Sequence, residues 1–243
     1  MVFFKNVGIF ILLNVASKLG RGKYLQKKVF SSKRLLERNF PKYTNFNFIQ
    51  VGANDGVSFD NLYEIVVNRK STGIVIEPIK EYFDELVLNY IEFENIVKEN
   101  KAVHPTEKEF SIYKVKKKAY SKYPDWVRGI ASFNPSHHEA LNIEKSDIFE
   151  VLVKCDHLMN IINQNSENKK IDYFQVDTEG FDYEVIKMID FKIIKPKIIK
   201  FESISLSTPD ISSLDGLLKK QGYYIFKEGN DTVAVDLKKI RLL

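Results

Sequence analysis

Two stretches of this chain carry residues whose types and spacing suit a nucleoside. The first, Asn47-Phe48-Ile49-Gln50-Val51-Gly52-Ala53-Asn54-Asp55-Gly56, is an apolar strand running into a glycine turn. The second, Gly73-Ile74-Val75-Ile76-Glu77-Pro78, is an apolar strand ending on a carboxylate. A tight turn under the ligand, with an acid placed to accept hydrogen bonds from ribose hydroxyls, is how an α/β sheet holds adenosine. A dinucleotide turn needs a middle glycine so that backbone can approach a pyrophosphate. Here Asn54 stands at that position, between Gly52 and Gly56. The turn therefore argues against NAD and for a cofactor with no phosphate at this point. S-adenosylmethionine fits, with its ribose on Glu77 and its amino-acid tail on the turn backbone and Asn54 or Asp55. A plain strand-to-helix turn that binds nothing is the alternative for the glycines alone.

Three more acids stand at the ends of expected strands: Asp177, Glu179 and Glu202. In an open parallel sheet, ligands sit beyond the carboxyl ends of the strands. Converging acids are costly there unless they meet a cation or capture protons. They suit binding of the cofactor's ammonium, removal of a proton from a substrate hydroxyl, or, for Asp177 with Glu202, a divalent ion. Glu179 also fits the first turn of a helix, where the dipole favours an acid. Two of the four histidines, His137 and His138, sit beside a turn in Gly129-Ile130-Ala131-Ser132-Phe133-Asn134-Pro135-Ser136-His137-His138. A neutral imidazole can take a hydroxyl proton; a surface histidine at a helix start is the plainer reading. His104 and His157 lie outside any motif, and no Cys/His spacing suits zinc.

Strands alternating with helices must position these groups. Residues 3–19 and 24–40 read as two helices split by Gly20-Arg21-Gly22, with Pro41 ending the second. Strands are expected over 46–51, 73–77, 96–103, 109–116, 148–154, 171–176 and 196–202. Helices are expected over 59–68, 79–90 and 183–188, and one capped by Asp210 to about Gln221. Asp156 is expected to cap a short helix through Ile162. A hairpin around Gly229-Asn230 closes the chain. This order predicts an α/β fold with a mostly parallel sheet.

Composition is that of an ordinary globular protein: 243 residues, 44% hydrophobic, 28% charged and a net charge of +5. The one basic run, Lys114-Val115-Lys116-Lys117-Lys118, reads as a solvated strand end, so no nucleic-acid partner is expected. It would also suit an anionic small substrate. A single cysteine, Cys155, allows no intrachain disulfide and fits a reducing compartment. The apolar run Val7 to Val15 is too short to cross a bilayer, which takes about 20 residues, and no small-x-small cleavage site follows it. It reads as a helix docked on the domain, or as one resting on the inner membrane face with Lys18, Arg21, Lys23, Lys27 and Lys28 beside it.

Four motifs in order complete a pattern: Phe48 to Gly56, Gly73 to Pro78, Asp172-Tyr173-Phe174-Gln175-Val176-Asp177-Thr178-Glu179-Gly180-Phe181-Asp182, and Ile199-Lys200-Phe201-Glu202. Over residues 46–206 the chain resembles the FkbM family of S-adenosylmethionine-dependent methyltransferases. The resemblance implies a class I methyltransferase (Rossmann-like) fold with a seven-stranded, mostly parallel sheet, helices on both faces and an antiparallel C-terminal hairpin. Residues 1–44 would form an N-terminal helical extension and 45–243 the methyltransferase domain. It implies O-methylation, often of sugars or polyketide-derived hydroxyls. Gly52, Ala53, Asn54, Asp55 and Gly56 would line the methionine part, and Glu77 with Pro78 would hold the ribose. Asn100 to Val103, Ala102 among them, would flank the adenine, and Asp177 would lie near the methyl donor. Gln50 stands where many class I enzymes carry an acid; it would hydrogen-bond the cofactor without attracting its ammonium.

The expected reaction is in-line methyl transfer to a hydroxyl, with His137 or His138, ahead of Asp177 and Glu179, as proton acceptor. Phe181 and Tyr183 are candidate aromatic faces for the sulfonium. The expected acceptor is a sugar, nucleotide-activated or a precursor in a bacterial surface-glycan pathway, handled in the cytoplasm. The alternatives are a metal-dependent O-methyltransferase of another small hydroxylated molecule, using Asp177 and Glu202, and a non-catalytic adapter docking through its N-terminal helix. A homo-oligomer is compatible with the sequence.

Overall fold

The computed structural model describes residues 2–58, 61–166 and 170–243. The chain opens with three helices, α1 (Val2–Lys18), α2 (Gly22–Val29) and α3 (Ser32–Asn39). There follow β1 (Asn45–Val51), α4 (Leu62–Val67), β2 (Lys70–Ile76), α5 (Lys80–Asn89), β3 (Ile96–Glu99) and β4 (Ala102–Val103). The middle holds β5 (Glu109–Val115), β6 (Ala131–Ser132), α6 (His137–Ala140), β7 (Ile148–Asp156) and α7 (Leu158–Asn165), with short 3-10 turns between them. The last part runs through β8 (Tyr173–Val176), α8 (Asp182–Lys187), β9 (Ile198–Glu202), α9 (Thr208–Lys220), β10 (Tyr224–Glu228) and β11 (Asp231–Val235). Part of the start expected for α4, Phe59 and Asp60, lies outside the described residues.

Seven strands form one sheet in the order β10-β11-β9-β8-β1-β2-β3. β3, β2, β1, β8 and β9 are parallel, and β11 runs against both its neighbours. The central strands are apolar on both faces because helices cover both. Along β1, Ile49 and Val51 face the cluster holding Leu158, Val185 and Leu214 from α7, α8 and α9. Phe46 and Phe48 face the other, with Leu62, Leu86 and the N-terminal helices' Ile9, Leu13 and Leu35. The extension thus shares a core with the sheet.

Four local expectations are corrected. The segment 24–40 is two helices, because Phe30 turns inward to stack on Tyr224 and Phe226, ring centroids 5.3 and 5.1 Å away. The strand expected over 96–103 breaks at Asn100, whose Nδ2 donates to the Glu77 and Pro78 carbonyls. Beyond it, β4 joins a second sheet of order β4-β7-β5-β6. His157, not Asp156, caps α7: its Nδ1 accepts from the Met159 N–H. Ser207, not Asp210, caps α9, accepting from the Asp210 N–H and donating to its carboxylate.

Buried Asn6 ties α1 to the C-terminal tail. Its Nδ2 donates to the Leu237 and Ile240 carbonyls at 2.9 and 2.8 Å, and its Oδ1 accepts from the Leu242 N–H at 3.1 Å. Asn6→Ala strips partners from these backbone groups and is expected to cost about 3 kcal/mol. A thermal melt would then show the midpoint lowered by roughly 8 °C for a chain of this size.

Candidate active site

The site lies beyond the carboxyl ends of β1, β2, β8 and β9. After β1 the chain folds back on β2, with the Gly52 and Ala53 N–H groups both donating to the Ile76 carbonyl at 3.0 Å. Gly52 has φ +77°, and a Cβ there would lie 1.8 Å from the Asp177 carbonyl oxygen, so only glycine lets the two loops approach. Asn54 takes the left-handed conformation at φ +50°, which its short polar side chain tolerates. Its N–H donates to Glu77 Oε2, and the Ile79 N–H donates to Glu77 Oε1, both at 2.8 Å. Glu77, 5% exposed, thereby clamps the turn from beneath. Burial pushes its carboxyl up to about 7, against the pull of those two N–H groups and Lys114.

Across the cavity stand the acids. Asp177 lines the cavity with part of its surface open. Enclosure of the carboxyl, with Glu179, Asp182, Glu202 and Asp231 around it, holds it well above the usual range. Glu179 is held at φ +52°, its carbonyl accepting from the Ser132 hydroxyl at 2.6 Å. Its Oε2 meets His137 Nε2 at 3.0 Å. Glu202 is pushed up to about 7 by burial and by Glu179. Asp182, fully buried, accepts from the Thr178 hydroxyl and the Glu202 N–H, stapling the ends of β8 and β9 together. Burial pushes it, too, up to about 7.

These shifts have a consequence for stability. Glu77, Asp182 and Glu202 keep protons in the folded chain up to about pH 7, against ordinary values of 4.5, 3.8 and 4.5. Between those limits the folded state binds more protons than the unfolded one. Their contribution is full below the ordinary values and is lost as pH rises through about 7. Melts of the chain alone are expected to show the midpoint falling from about pH 5 to pH 7.5, less steeply in Asp182→Asn.

The cavity encloses about 680 Å³, the size of a small-molecule site. Gly52, Ala53, Asn54, Glu77, Pro78 and Ala102 line one side, and Asp177, Glu179 and Glu202 another. The second sheet and its loops supply an apolar roof from Ile112, Trp126, Ile130 and Phe133. Sequence reasoning missed this roof, along with Ser132 and Asp182; a lone Trp126 in an irregular stretch was its one signal.

Other expected residues lie apart. Gly56, at φ +78°, sits where a Cβ would strike the Tyr90 ring, and it packs the turn rather than lining the cavity. Asp55 caps its own loop, accepting from the Val57 and Ser58 N–H groups. Gln50 is buried within β1, in register with Gln175 of β8. His138 is buried with Nδ1 against the Pro135 carbonyl, and does not line the cavity. Phe181 stacks on His104 at 5.6 Å and Tyr183 lies under Lys187, so neither faces the cavity. Of the basic run, Lys114 is buried against Glu81 and the Tyr82 ring, and Lys116 donates to the Ser146 carbonyl. None of the run lines the cavity, so it offers no diphosphate site there.

Comparison with known proteins follows the same geometry. Residues 50–225 match the family model described as the methyltransferase FkbM domain. Comparison with curated proteins returned no match. Among solved structures, the chain is similar to a methyltransferase FkbM from Methylobacillus flagellatus at a TM-score of 0.50 and 12% identity. That alignment covers 86% of this chain and 47% of the other, so this chain spans about half its length. It also aligns with a precorrin-6y C5,15-methyltransferase from Geobacter metallireducens, at a TM-score of 0.41 and 11% identity, over 86% of this chain and 89% of that one. With the sheet order, the Glu77-clamped turn and a family match over most of its length, the chain has the class I Rossmann-like fold and belongs to the FkbM family of S-adenosylmethionine-dependent methyltransferases.

Proposed function

We propose that the protein methylates a hydroxyl of a sugar, free, nucleotide-activated or within a surface-glycan precursor. The observation that carries this reading is the cluster of Asp177, Glu179 and Glu202 on one cavity wall, with His137, which does not itself line the cavity, touching Glu179 at 3.0 Å. A wall of carboxylate oxygens accepts hydrogen bonds, and a polyhydroxylated ring supplies many donors. S-adenosylmethionine, when bound, supplies an electrophilic methyl group. The chain fits it: Gly52, Ala53 and Asn54 of the clamped turn line the cavity, and buried Glu77 has lone pairs left for ribose hydroxyls. Ala102 and Val103 offer an apolar wall suited to a base. The Glu179–His137 pair and Asp177 hold the proton released from the acceptor hydroxyl.

Calorimetry with S-adenosylmethionine tests the cofactor, and absence of binding would favour the adapter reading. Incubation with cofactor and a panel of sugars and nucleotide sugars tests the acceptor. Addition of a methyl mass to one of them supports the proposal, and none on any sugar overturns it. One geometry favours a second reading, in which a divalent ion orients the acceptor. Ligand oxygens of Asp177, Glu179 and Glu202 all lie within 4.8 Å of one another. Dialysis against a chelator decides: the proton-acceptor reading expects full activity afterwards, and the metal reading expects loss restored by magnesium.

A further inference from the structure

We propose that the outer face of α1, with the basic residues of α1 and α2, docks the protein on an anionic lipid surface. The face is largely apolar, broken by Asn14. Phe3, Phe4, Val7, Ile11, Leu12 and Val15 are 47, 78, 40, 60, 51 and 50% exposed, and helical spacing puts them on one side of α1. The opposite side is committed, with Asn6, Ile9, Leu13 and Ala16 buried against the domain. α1 is therefore mainly apolar on its outer side as well as its inner one, while a surface helix of a globular protein turns a polar face outward. Leu19 and Tyr24, 73 and 64% exposed, extend the patch into α2.

Charge identifies the occupant. Lys5, Lys18, Arg21, Lys23, Lys27, Lys28, Lys33 and Arg34 all precede Glu37, the first acid in the chain. Residues 1–36 thus carry eight positive charges and no negative one, and with a total of +5 the remaining residues carry −3. Lys5, Lys18, Lys23, Lys27 and Lys28 are all exposed. A contact between two copies would bring these like charges together. An apolar strip beside dense cations, with no acids, is complementary to a bilayer interface bearing anionic headgroups. No helix among the described residues is long and apolar enough to cross a membrane. At 17 residues α1 spans about 26 Å, and its inner face is held by protein, so it lies in the plane of the surface.

Flotation of the full chain with vesicles tests this. The chain is expected to rise with vesicles of equal parts phosphatidylcholine and phosphatidylglycerol. About tenfold less should rise with phosphatidylcholine alone or in high salt. Phe4→Glu with Ile11→Glu should abolish flotation while leaving the thermal midpoint unchanged. Should that variant fail to fold, Phe4→Trp gives an independent reading. Its emission, after subtraction of the wild-type spectrum, should shift to the blue on adding the mixed vesicles. Wild-type chain left in the aqueous fraction, or no shift in Phe4→Trp, would overturn the proposal. So would a dimer in vesicle-free sedimentation that Phe4→Glu/Ile11→Glu dissociates, since a second copy would then cover the face.

Discussion

Glu77→Gln is expected to weaken S-adenosylmethionine binding by roughly 100-fold. The carboxylate accepts one backbone N–H on each oxygen, from Asn54 and from Ile79. An amide can satisfy only one of them, because its NH2 meets the other donor to donor. Above about pH 7, where Glu77 has lost its proton, hydrogen bonds to its charge are each worth about 1.5–3 kcal/mol. Losing one beneath the turn, and weakening those to ribose above it, removes about 3 kcal/mol, which is two powers of ten in affinity. The unmet N–H is also buried, so the chain alone should melt roughly 5 °C lower. Glu77→Asp keeps the charge but shortens the reach, and should fall between wild type and Glu77→Gln. Calorimetry reads the affinities; a Glu77→Gln Kd within threefold of wild type would remove Glu77 from the cofactor site. Because this readout is binding, it stands apart from the identity of the acceptor.

How much of this was legible depends on where the physics is local. The parallel strands could be read because burial on both faces makes them continuous apolar runs, and the ligand edge follows from their direction. Hence Gly52, Glu77, Asp177 and Glu202 were found together, from four separate segments. Of the second sheet only the two long strands, expected over 109–116 and 148–154, were legible; its pairing and the roof it builds were not. Its β4 and β6 are two residues long, too short to carry a periodicity. Gly52 and Gly56 look equivalent in sequence, yet one meets Asp177 and the other Tyr90. Their difference lies in contacts across more than 30 residues. Asp182 reads as an acid at a helix start, and its role as a staple appears only once β8 and β9 lie side by side. His137 and His138 are neighbours, and only the turn of α6 decides that the first reaches Glu179 while the second is buried.

That choice between neighbouring histidines bears on the largest kinetic effect. Asp177→Asn and Glu179→Gln are each expected to lower kcat by about 10²–10⁴, the usual worth of a positioned proton acceptor. S-adenosylmethionine affinity should stay within about tenfold of wild type, since Glu77 and the turn are untouched. Substitution of His138, which is buried with Nδ1 on the Pro135 carbonyl, should act on stability instead. The pH profile distinguishes proton transfer from mere packing. Activity requires the acidic wall to have lost protons, so kcat/KM should rise with pH through about 7, where Glu202 titrates. His137 draws the Glu202 carboxyl down, while burial and Glu179 push it up. Removing the imidazole in His137→Asn therefore leaves Glu202 holding its proton to higher pH, and the acid limb should move up. Glu179→Gln removes a neighbouring negative charge and should move the same limb down. Two variants of one contacting pair shifting the profile in opposite directions is the signature of a titrating wall. A loss of rate that is equal at every pH in both would assign the pair to structure alone.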